Sequence, residues 1–157
     1  MRILTIVLLT LMLPILVLGA AYLPGLFFTT DEVAASLGRC SSRVFYSSGG
    51  FQDFTDYAKY SFLDPHPEEN PYLSKMTYKD IEKFNQYLND FENWVQVIGR
   101  NNSQNELVLN YDFDRSVISH NDYLYIYNPY ANNTFDNYNI YFFDQETSTL
   151  YYFHNNI

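Results

Sequence analysis

The chain has 157 residues, enough for one domain, and carries 16 Tyr, 13 Phe and a formal net charge of −9. An aromatic fraction of 19% excludes a disordered chain, because disordered segments lack the apolar bulk that drives burial. The acidity excludes nucleic acid as a partner: every Asp and Glu lies beyond residue 28, and residues 101–157 hold seven acids against the single base Arg115, a balance that repels phosphate backbones.

Residues 3–28 contain no charged side chain. As a helix they would span about 39 Å, more than the roughly 30 Å of a bilayer's hydrocarbon core. They are read as a membrane segment, with Pro14 kinking it and Pro24-Gly25 marking its end. Two forms remain open. One is an uncleaved signal anchor, giving a single-pass protein of the cell membrane. The other is a signal peptide cleaved near Gly19-Ala20-Ala21, giving a secreted or periplasmic protein. Arg2 before the segment and Asp31 and Glu32 after it place the following domain outside the cytoplasm in both.

Residues 29–40 read as a stalk or short helix. Thr30 is positioned to cap it, Asp31 and Glu32 suit its first turn, and Gly38 closes it. The domain itself is expected over 41–157. Its first part, 41–50, reads as a serine-rich loop with a possible short strand, and Phe51, Phe54 and Ala58 suggest helical turns ending near Phe62. Three prolines between 65 and 71 break any regular element.

The clearest element follows. Thr77 and Asp80 form a capping box, and Ile81, Phe84, Leu88, Phe91, Val95 and Ile98 recur at alternating spacings of three and four. This predicts an amphipathic helix over about 78–98, stopped by Gly99. From residue 106 the period becomes two. Runs around 107–113, 123–127, 138–143 and 150–153 predict an antiparallel meander of about four strands over 106–154, with a hairpin loop at 144–148. The fold class is therefore α+β.

One face of such a sheet is usually polar. Here the face turned from the helix would carry tyrosine and phenylalanine, so it is either covered by residues 40–75 or an exposed recognition surface. The candidate interaction residues are Tyr123, Tyr125, Tyr127, Tyr141 and Tyr151. The partners that fit are the membrane through residues 3–28, and a cationic protein or a carbohydrate at the domain.

No catalytic, metal or cofactor motif occurs. The function expected is that of a non-enzymatic binding or accessory protein, tethered or exported. A toxin-neutralising immunity protein is one alternative. A small envelope hydrolase using Asp112, Asp114 and His120 is another, and it requires those three groups to converge. The single cysteine, Cys40, has no internal disulfide partner and reads as a small packed side chain.

Overall fold

The computed structural model describes residues 31–50, 53–129 and 135–156. The apolar segment 3–28, the Thr30 cap and Phe51 lie outside the described residues. Among the described residues no helix is long and apolar enough to cross a membrane.

The fold is α+β, built on a six-stranded antiparallel sheet. In chain order the elements are α1 (Glu32–Ala35), β1 (Cys40–Gly49), β2 (Phe54–Phe62), β3 (Ser74–Lys75), α2 (Tyr78–Asn101), α3 (Glu106–Asn110), β4 (Tyr123–Tyr127), β5 (Asn137–Asp144) and β6 (Thr149–Asn156). Short 3-10 turns occupy Pro67–Glu69 and Arg115–Val117. The strands lie in the order β1-β2-β6-β5-β4-β3. The chain therefore starts the sheet with one hairpin, leaves to make α2, and returns to complete it.

The predicted helix and its stripe are present. Phe84, Leu88, Phe91 and Val95 are buried, with Ile81 and Ile98 packed beside them. Thr77 accepts a hydrogen bond from the Asp80 amide at 3.4 Å, and Asp80 accepts from the Thr77 amide at 2.9 Å. Gly99 does not stop the helix, which runs to Asn101. Its missing side chain instead lets α3 approach, since a Cβ there would lie 3.3 Å from Val108 Cγ1.

Three expected element types also differ from the structure. Residues 54–62 are a strand, not helical turns. β2 is covered on both faces, so buried residues run almost continuously along it and helix-like spacing appears by coincidence. The serine-rich stretch 41–50, expected as a loop with a possible short strand, is a strand throughout, the ten-residue β1. Gly49 ends it at φ 135, where a side chain would collide with the Asp53 carbonyl. The run at 107–113 is not a strand. Asn105 accepts from the Leu107 amide at 2.9 Å and so caps α3, after which Tyr111 to Asp114 form an irregular connection. The meander after α2 thus has three strands, and β1, β2 and β3 supply the rest of the sheet.

α2 covers one sheet face. Phe84 stacks on Phe142 at 5.1 Å, while Phe91 meets Phe153 at 5.3 Å. Phe113, from the connection after α3, wedges against Phe153 at 5.1 Å and Phe142 at 5.7 Å. On the opposite face a second cluster joins Val33, Ala34, Leu37 and Leu73 to Ala58, Tyr60, Phe62, Phe143 and Leu150. Of the two forms open for 29–40, the short helix is the one present, as α1, and residues 33–37 pack it into the core of the domain.

Removing the Thr77 hydroxyl should cost about 1 kcal/mol of stability. Hydrogen bonds from Thr77 hold the Asp80 carboxyl below its ordinary value of 3.8. A lowered folded-state value contributes stability above the unfolded value that is lost as pH falls through the folded one. The Thr77→Ala deficit should accordingly be full above about pH 4 and shrink at lower pH, which thermal unfolding of the full-length chain in mild detergent across pH 2–7 would measure (roughly the titration range of a carboxylate).

Candidate functional site

The strand register assigns each side chain to a face. Directly opposed residues share a face, and four cross-strand rows cover the face turned from α2. The first runs Arg43, Tyr60, Leu150, Phe143, Tyr123. The second runs Phe45, Ala58, Tyr152, Tyr141, Tyr125. The third runs Ser47, Asp56, His154, Asn139, Tyr127. The last runs Gly49, Phe54, Asn156, Asn137.

These rows form a gradient. The first belongs to the apolar cluster with Val33, Ala34, Leu37 and Leu73, so Tyr123 stands at the edge of a core. In the second, Tyr125 and Tyr141 stack at 6.0 Å and Tyr141 meets Tyr152 at 4.9 Å. Tyr72 extends that series at 5.6 Å from Tyr125. The four rings are half-buried. The two ends of the face are more open, with Phe45 44% and Tyr127 49% exposed.

The third row is polar. His154 Nδ1 lies 3.1 Å from Asp56 Oδ2, with side-chain exposures of 12% and 9%. The two groups are hydrogen-bonded, with the direction set by the imidazole tautomer. Asp56 Oδ1 is buried and has no hydrogen-bond partner among the described residues. Asn139 accepts from the Tyr152 hydroxyl at 2.8 Å. Ser47, Asp56 and His154 share this row, but the acid stands between the serine and the histidine. A nucleophile relay needs the base in the middle, so the row is not one.

Tyr123, Tyr125, Tyr127 and Tyr141 lie on this face, as the sequence suggested. Tyr151 does not. It pairs with Phe142 on the α2 side and packs edge-on against Phe113 at 4.9 Å. Tyr152 takes the place intended for it. The alternation in β6 was assigned to the wrong faces because Tyr151-Tyr152-Phe153 is aromatic at every position. Phe45, Asp56, His154 and Tyr72 were not singled out from sequence. Three of them depend on strands or pairings that the reading of 41–62 did not contain, and Tyr72 arrives from a loop.

The hydrolase candidates each hold a separate partner. Asp112 accepts from the Tyr57 hydroxyl at 2.9 Å and from Lys59 Nζ. Partial burial pushes its carboxyl up, but hydrogen bonds from Lys59 and Tyr57, with the lysine charge, outweigh this and leave it below the ordinary range. Asp114 accepts from the Ser116 amide at 2.8 Å, capping the 3-10 turn. The His120 ring packs on Tyr78 at 4.1 Å. Among the described residues no cluster of three metal-ligating side chains occurs. Cys40 is half-buried, and burial pushes its thiol up.

No known protein family matches the chain, and neither a curated protein nor a solved structure does so.

The two faces should respond differently to truncation. Tyr151→Ala removes a ring from the α2-side core and should cost about 2–3 kcal/mol, below the full penalty for a wholly buried aromatic. Tyr127→Ser should stay within about 0.5 kcal/mol of wild type, as surface substitutions do. Denaturant unfolding of both variants would measure the contrast, and equal losses would mean that Tyr127 is a packed residue.

Proposed function

We propose that this chain is a small non-enzymatic binding module that residues 3–28 carry into or across a membrane, with its domain outside the cytoplasm. Its working surface is the tyrosine face of the sheet. The observation that carries this reading is the second cross-strand row, Tyr152, Tyr141 and Tyr125, flanked by the exposed Phe45 and Tyr127. Tyrosine offers large contact area, a hydroxyl and few rotatable bonds, so it binds at low entropic cost. A domain needing only to fold gains little from placing Phe45 and Tyr127 at the open ends of an already aromatic face.

Two measurements test the reading. The intact mass of the mature protein in a washed membrane fraction should equal the full 18.5 kDa chain if the segment is an anchor. A mass shortened by about twenty residues would instead mean cleavage at the small-residue site. Nitration of tyrosines should then report the surface. Tyr127 should be protected in native membranes and become reactive once the protein is released in detergent. Equal reactivity in both states would overturn the tyrosine face as the working surface.

A further inference from the structure

The two edges of the sheet differ. β3 closes one of them with two residues, Ser74 and Lys75. β1 forms the other with ten. Alternate residues of a strand point their N–H and C=O groups to opposite edges. Every second residue of β1 therefore points these groups away from β2, and among the described residues they meet no further strand. Folds blunt such an edge by shortening it or by placing lysine or proline on it. β3 is short and carries Lys75, whereas β1 is long and has neither residue. Its Val44 and Phe45 side chains are 38% and 44% exposed.

The features that limit β1 also centre it. A register shift lies between Cys40 and Ser42, and Gly49 turns the chain at φ 135. The regular stretch between them is 42–48, and its middle residue is Phe45. Side-chain bulk is arranged about the same point, with Val44-Phe45-Tyr46 at the centre, Ser42 at one end and Ser47-Ser48 at the other. A two-fold interface needs a surface that complements itself. Opposed residues of an antiparallel pair share a sheet face, so the axis must pass through a residue position. Placed at Phe45, it opposes Phe45 to Phe45, Val44 to Tyr46, Arg43 to Ser47 and Ser42 to Ser48. Apolar bulk then meets apolar bulk at the centre, and the two Arg43 side chains are not opposed.

Charge favours the same contact. The chain's net charge is −9, so two copies repel over much of their surfaces. Residues 42–48 hold no acid and one base. Acids flank this stretch without occupying it. Asp53 lies in the hairpin after Gly49, Asp64 follows Leu63, whose amide donates to the Arg39 carbonyl at 3.3 Å, and Glu106 follows Asn105, whose side chain donates to Ser48 Oγ at 3.0 Å. Antiparallel pairing brings the Arg39 end of each copy to the Asp53 hairpin of the other.

We propose that two copies of this chain pair antiparallel along β1, about a two-fold axis at Phe45, and join their sheets into one. The row Phe45, Ala58, Tyr152, Tyr141, Tyr125 then continues into the same row of the second copy. This goes beyond the binding reading and requires neither a ligand nor the membrane segment.

The full chain is solubilised in mild detergent and its protein mass measured by light scattering, which should give two chains per particle. Phe45→Lys sets two like charges on the axis and should give single chains, as should Phe45→Glu. Mixing the two variants should restore the pair, which a merely misfolded variant would not do. In a Cys40→Ser background, Phe45→Cys should form a disulfide-linked dimer under mild oxidation several-fold faster than Tyr127→Cys or Lys75→Cys. Where both charge variants fail to fold, the rate of bridging decides. Single chains in the wild type, a pair that survives Phe45→Lys, or bridging at 45 no faster than at 75 and 127 each overturn the inference. Tyr127 lies outside the paired strands, so its protection in native membranes stands or falls separately.

Discussion

The structure depends on one junction of phenylalanine rings. Phe84 and Phe91 from α2, Phe142 from β5, Phe153 from β6 and Phe113 from the connection after α3 all meet there, with Phe84, Phe91, Phe142 and Phe153 fully buried. Rings pack edge-to-face at centroid separations of about 5 Å and bury large areas per residue. No regular secondary structure is needed at Phe113, because its ring fills the space between helix and sheet. The rest of the helix layer is arranged around that wedge.

Tyrosine takes over where the core approaches water. Tyr57 and Tyr138 are buried and Tyr111 is half-buried, and each hydroxyl donates to a carboxylate, respectively Asp112 for Tyr57, Asp90 for Tyr138 and Glu92 for Tyr111. Burial and the neighbouring negative charge push all three phenols up, so they remain donors. Glu92 is also gripped by Arg115, whose Nη2 lies 2.7 Å from its Oε2. Part of the chain's acidity therefore satisfies the polar ends of core tyrosines on the α2 side.

Periodicity was readable where one face of an element is dry and the other wet. In α2 the stripe from Ile81 to Ile98 contrasts with Lys79, Glu82, Lys83 and Asn93, and the capping box announces the start. It failed where that contrast vanishes. β2 is packed on both faces and keeps Thr55 and Asp56 inside through the partners Asn155 and His154, contacts about a hundred residues distant that no local pattern reveals. At 107–113 alternation was genuine, yet Asn105 and Glu106 form a helix start that outweighs it for one turn. The candidate surface was legible as tyrosines in β4 and β5. It was misassigned in β6, where three successive aromatic residues carry no face information.

The sequence by itself determined the uncharged segment at 3–28, the acidic balance, the α+β class and the position of the main helix. Each follows from composition or from spacing within one element, where neighbouring residues suffice. Only the tertiary structure decided that the sheet has six strands, that residues 33–37 belong to the core, and that Tyr152 rather than Tyr151 joins Tyr125 and Tyr141. Those outcomes depend on cross-strand register, and register is set by which distant strand buries which face.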